Sequence, residues 1–148
     1  MRGYPRWFPR LLAASVGLLG VTGVLLGTNT LEMRADIQLG WHVAEAARTW
    51  SSALHALAGF LIMMFCGALW SIHMRAGWRR GEHRRSGLAL ALVLVGLALS
   101  AVGIYYSGDA VAADWLSYGH LIAGIAWVAL LVWHWIRGRR LRRQHLRR

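Results

Sequence analysis

Residues 52–74 read SALHALAGFLIMMFCGALWSIHM, an apolar run with no Arg, Asp or Glu in it. At about 1.5 Å of rise per residue, a helix of this length crosses the roughly 30 Å hydrocarbon core of a bilayer. Three more runs, at about 11–30, 87–107 and 117–137, can do the same. Helices are the only open structures that satisfy their own backbone in lipid. The expected fold is therefore all-α: one transmembrane domain over residues 1–148, a four-helix bundle made of two helix-hairpin repeats.

Composition agrees. Of 148 residues 57% are hydrophobic, more than a soluble chain of this size can hide, which excludes a soluble enzyme. The net charge of +11 comes from 17 basic residues, all arginine, against six acids. The arginines sit in the gaps between apolar runs, so they read as topology signals and not as a nucleic-acid groove. The single cysteine, Cys66, lies inside a run and excludes a disulfide framework, a thiolate zinc site and Cys-x-x-Cys-His haem attachment. No small-residue cleavage site follows Gly27, so the first run is read as a span and not a signal peptide.

Arg2, Arg6 and Arg10 precede the first span, Arg75, Arg79, Arg80, Arg84 and Arg85 separate the second from the third, and seven arginines run from Arg137 onward. Only Arg34 and Arg48 lie on the other side, with Glu32, Asp36, Glu45, Asp109 and Asp114. The positive-inside rule then puts both termini and the 75–86 loop in the cytoplasm of a multi-pass inner-membrane protein. Trp7, Trp41, Trp50, Trp78, Trp115 and Trp135 fall near span ends, as an interfacial belt does. The outer connection from Thr28 to Trp50 is long for a hairpin; its Ile37, Leu39, Trp41 and Val43 suit either a membrane-surface cap or interfacial anchors on a solvated loop.

Four of the seven histidines fall within spans: His55 and His73 in the second, His120 and His134 in the fourth. These two spans run in the same direction, so His55 and His120 share an outer level while His73 and His134 share an inner one. At about 100° per residue, the interval from His55 to His73 returns to the same helical face, and that from His120 to His134 falls about 40° short. Two parallel helices offering imidazoles at matched depths suit the bis-histidine axial geometry of a haem. A lone intramembrane histidine is often only a helix–helix hydrogen bonder; four at two levels point to a site.

A repeat supports this. The pattern W-x-S-x-x-H-x-x-A-G occurs at 50–59 and again at 115–124. Gly59 and Gly124 lie one turn below the outer histidines, where a missing side chain leaves room for a flat macrocycle. Gly20, Gly27, Gly96 and Gly103 on the other spans read as close helix packing. At the inner level the repeat breaks, because the position that aligns with His134 is Leu69 and not His73.

From the Thr22-Gly23 stretch to Arg140, and above all in His55-x-x-x-Gly59 through His73 and His120-x-x-x-Gly124 through His134-Trp135, the chain resembles bacterial four-helix cytochromes b, the membrane subunits of formate dehydrogenases, nickel–iron hydrogenases and thiosulfate reductases. The resemblance implies two haems b, or one if the inner level fails. His55 with His120 would ligate the outer haem and His73 with His134 the inner. Electrons would pass between quinone and a periplasmic oxidoreductase or c-type cytochrome, within a larger complex, so the chain would be an electron-transfer subunit. Several of those subunits draw a ligand from the first span, where this chain has no histidine. Quinone candidates are His42, Glu45, Tyr106 and Asp109 outside, and Trp78, Glu82 and His83 inside. Two alternatives remain: a self-contained quinone-linked di-haem oxidoreductase resembling superoxide oxidases, and a haem-free membrane anchor or transporter whose histidines serve another end.

Overall fold

The computed structural model describes residues 4–35, 37, 44–81 and 84–145; side chains are described up to 140, those of Ala35 and Ser71 excepted. Five α-helices account for nearly all of them: α1 (Trp7–Ala35), α2 (Glu45–Leu69), α3 (Arg75–Arg80), α4 (Arg84–Tyr106) and α5 (Ala110–His145). A π turn, Trp70–Met74, joins α2 to α3 without a break. Four helices are long and apolar enough to cross a membrane: those beginning at Trp7, Glu45, Arg84 and Ala110. Among the described residues there is no strand.

Each of these four begins ahead of the apolar stretch that signals it, and α1 and α5 also run past its end. Hydropathy marks only the part that suits lipid, while the backbone ladder continues beyond it. The outer connection is consequently shorter than 28–50, because α1 extends to Ala35 and α2 begins at Glu45. Ile37 is exposed there; Leu39, Trp41 and Val43 lie outside the described residues.

Local chemistry sets the helix ends. Pro9 falls in the first turn of α1, where no intrahelical N–H is needed. Gly81 closes α3 in the left-handed region (φ 73°), its N–H returning to the carbonyls of Gly77 and Trp78. Gly108 (φ 64°) makes the tight turn between α4 and α5. Asp109 then caps α5, its Oδ1 accepting the Ala112 N–H at 2.7 Å.

The chain divides into two compact units between His73 and Met74. In the first, α1 packs on α2; in the second, α4 packs on α5. In hairpin one the buried positions follow a heptad step. Phe8, Ser15 and Thr22 lie seven apart on α1, and Ser51, Ala58, Ile62 and Leu69 line α2. A heptad step of this kind is the pattern of a packed helix–helix seam. Hairpin two buries Ser86, Leu94 and Leu97 against Ser117 and Trp127, whose indole N–H donates to the Leu90 carbonyl at 3.2 Å. Small and hydroxyl residues recur in both seams, as they do where helices associate in lipid without a hydrophobic driving force. Large apolar side chains such as Val24, Phe60, Leu99 and Ile122 are exposed instead.

Candidate functional site

Three of the four intramembrane histidines stand on these seams, and each meets a hydroxyl from the neighbouring helix of its own hairpin. His55 Nδ1 lies 3.0 Å from Thr22 Oγ1. His120 Nδ1 lies 2.8 Å from Ser100 Oγ, and His134 Nδ1 lies 2.8 Å from Ser86 Oγ. Thr22 and Ser86 are buried, and the histidines are half-buried. A small residue follows each hydroxyl, namely Gly23, Gly87 and Ala101. The reason is steric at Gly23, where a Cβ would stand 3.2 Å from His55 Cε1; at Gly87 it would stand 3.9 Å from His134 Cε1.

The two clasps of hairpin two obey antiparallel register. The interval from Ser86 to Ser100 on α4 equals that from His120 to His134 on α5. The same interval, stepped from the Thr22–His55 clasp of hairpin one, reaches Phe8 and Leu69, both buried. An apolar plug therefore stands where hairpin two carries its inner clasp. His73 lies one turn further on, exposed, in the π turn. The stripe shared by His55 and His73 presumes unbroken α-helix, whereas a π turn adds one residue to the winding and rotates the residues beyond it by up to about 100°.

Gly59 and Gly124 are half-buried, and nothing within either hairpin comes within 4 Å of the side chain that each lacks. Gly20 and Gly96 border similarly open space. Gly103 is a packing glycine, since a Cβ there would meet Leu116 Cδ1 at 2.7 Å.

Four of the seven quinone candidates lie among the described residues. Glu45 is exposed as the first residue of α2, and Tyr106 is exposed at the end of α4. Asp109 is engaged as the cap of α5. Trp78 carries the Arg84 guanidinium 5.4 Å above its ring and accepts the Arg84 Nε–H on its carbonyl at 2.8 Å, which closes the α3–α4 turn. His42, Glu82 and His83 lie outside the described residues.

Thr22, Ser86 and Ser100 are the site residues that the pattern of histidines alone does not reveal. Their signal is nonetheless in the sequence: a hydroxyl followed by a small residue, on the spans without histidine. The spacing of Ser86 and Ser100 also matches that of His120 and His134.

Among the described residues no three His, Cys, Asp or Glu side chains gather to hold a bare metal ion. Axial ligation of a haem asks for two imidazoles only, each oriented through its second ring nitrogen. An imidazole whose Nδ1 is hydrogen-bonded directs its Nε2 to the metal, so the donor chemistry of His55, His120 and His134 fits that group. His73 brings its imidazole from a different setting, exposed in the π turn and off the seam of hairpin one.

No known family model, curated protein or solved structure matches the chain. Fold and site together define a class: an all-α protein with four membrane-length apolar helices, in two hairpins, with histidine–hydroxyl pairs along their seams.

Proposed function

We propose that the chain is a b-type cytochrome of a bacterial inner membrane, passing electrons between quinone and a periplasmic oxidoreductase or c-type cytochrome. The reading asks one imidazole of each hairpin at each level: His55 and His120 for an outer haem, His73 and His134 for an inner one. The observation that carries it is the hydroxyl on Nδ1 of His55, His120 and His134, which suits imidazoles oriented to ligate through Nε2. Haem b supplies reversible one-electron chemistry at its iron. The chain's own contribution is to hold the ligands at fixed depths, exclude water and leave space beside Gly59 and Gly124.

The basic ends of the helices suit a cytoplasmic face rich in anionic lipid. Arg137 lies over the Trp133 ring at 5.1 Å and Arg139 over Trp135 at 4.6 Å. On this reading the two indoles would hold guanidinium groups at headgroup level.

A haem-free anchor is the second reading. The same histidine–hydroxyl bonds favour it, because hydrogen bonds of this kind also join transmembrane helices.

The deciding experiment is a dithionite-reduced minus oxidised spectrum of the purified protein, with haem counted per chain by pyridine haemochrome. Two haems b are expected, and His120→Ala should remove one of them. A colourless protein from haem-sufficient cells overturns the cytochrome reading and leaves the anchor.

A further inference from the structure

We infer that Thr22 and Ser100 are positioning residues that set the tautomer of the outer histidines, by accepting a hydrogen bond from Nδ1–H and so reserving Nε2 for the metal. The inference rests on the cytochrome reading for its metal, and on the geometry of the two hydroxyls for the rest.

A hydroxyl has one proton to give and two lone pairs with which to accept. Thr22 Oγ1 lies 2.7 Å from the Leu18 carbonyl oxygen, closer than its 3.0 Å to His55 Nδ1. A carbonyl can only accept, so the Thr22 proton goes to Leu18. The contact with His55 is then satisfied only if Nδ1 carries the proton and the threonine oxygen receives it as a hydrogen bond. The opposite tautomer would set two lone pairs against each other across 3.0 Å.

Hairpin two has the same kinds of partner, a backbone carbonyl on the hydroxyl's own helix and a facing imidazole, with the imidazole the nearer of the two. Ser100 Oγ donates to the Leu97 carbonyl at 3.0 Å and lies 2.8 Å from His120 Nδ1. Threonine in one hairpin and serine in the other, each with its proton turned back on its own helix, thus reach one result.

An acceptor on Nδ1–H makes the imidazole a stronger donor to a metal bound at Nε2, and a stronger donor favours the ferric over the ferrous state. Removing the acceptor should therefore raise the reduction potential of the outer haem. A tenfold weakening of the ferric preference corresponds to about 59 mV for a one-electron couple.

The test uses the full chain with haem bound. Thr22→Val keeps the side-chain shape and loses the oxygen; Ser100→Ala removes the oxygen in the other hairpin. Potentiometric titration and low-temperature EPR of each are compared with wild type. Both variants should raise the potential of the same haem and shift its g values, while Thr22→Ser and Ser100→Thr keep both at wild-type values. Ser86→Ala should leave that haem unmoved. If the two variants lower thermal stability but keep the wild-type potential and g values, the hydroxyls are helix–helix contacts only and the inference fails while the cytochrome reading stands. A wild-type chain without haem overturns both. Should one variant fail to fold, the other decides, since the two hydroxyls lie in different hairpins.

Discussion

The two hairpins are variations on one plan, and they part company at one depth. At the outer level they agree in detail. Ser52 and Ser117, equivalent in the repeat, each donate to the carbonyl four residues back, at 3.0 and 2.7 Å. The next histidine along meets a hydroxyl in each case. One core position further, Ile62 and Trp127 are again equivalent, and both are buried. At the inner level hairpin two has Ser86 on His134, whereas hairpin one has Phe8 and Leu69. Phe8 there stacks on Tyr4 at 4.4 Å and meets the edge of Phe65 at 5.2 Å. The Tyr4 hydroxyl donates to the Ala68 carbonyl at 3.2 Å, just ahead of the π turn. A side chain bonded into the ladder at that point is a recognised cause of local rewinding. Two hairpins of one pattern can therefore share one histidine–hydroxyl clasp while apolar packing takes the place of the other in hairpin one.

The largest expected effect tests that asymmetry. If the chain is the proposed cytochrome, His134→Ala should cost one haem per chain, because its ring is held in place by Ser86. His73→Ala should keep the haem but convert it to a high-spin form, visible as a displaced Soret band, because this histidine sits exposed in the π turn and not on the seam. Phe8→Ser with Leu69→His, added to His73→Ala, writes the inner clasp of hairpin two into hairpin one and should restore a low-spin spectrum. Equal haem loss in the two single variants would mean that the inner ligands are equivalent despite their different settings.

Most of the fold is legible from hydropathy, because a lipid-spanning helix must be long, apolar and nearly uncharged. The outer histidines are legible too, through the W-x-S-x-x-H-x-x-A-G repeat. What hydropathy does not carry is local winding: the π turn at Trp70–Met74 changes the angle of His73 although its spacing from His55 suits an α-helix. The hydroxyl partners escape for another reason. Serine and threonine are common in membrane helices, and what sets Thr22, Ser86 and Ser100 apart from Ser15 or Thr28 is only the small residue that follows each, with the matching interval of Ser86 and Ser100 besides. The polar residues near span ends are less legible still: Asp109 caps a helix and the Trp78 carbonyl closes a turn, roles that composition near an interface does not announce.

The cores should differ in stability as they differ in chemistry. Ile62 is 1% exposed, so Ile62→Ala leaves a cavity in hairpin one that costs about 2 kcal/mol by the usual penalty for such truncations. Trp127→Phe keeps part of the ring but removes the bond to the Leu90 carbonyl, a loss of about 1 kcal/mol at the scale of interhelical hydrogen bonds in membranes. Denaturation in mixed micelles would measure both. A loss for Trp127→Phe well above that figure would mean that the packing of the indole, and not its hydrogen bond alone, holds hairpin two together.

The smallest effect is the most specific, because two like substitutions should act with opposite sign. Replacing glycine by alanine within a helix gains roughly 0.5–1 kcal/mol when the added methyl has room. At Gly87 it does: the nearest side-chain atom would be His134 Cε1 at 3.9 Å, an ordinary contact. Gly87→Ala should therefore raise the melting temperature slightly and leave the inner haem spectrum unchanged. At Gly23 the same methyl would come within 3.2 Å of His55 Cε1, so the ring must yield slightly. That movement lengthens the Thr22 contact, which offsets the helical gain and should shift the EPR signal of the outer haem. If Gly23→Ala stabilised the protein as Gly87→Ala does and left that signal in place, the His55 ring would have slack in its seat, and the closer fit in hairpin one would carry no functional weight.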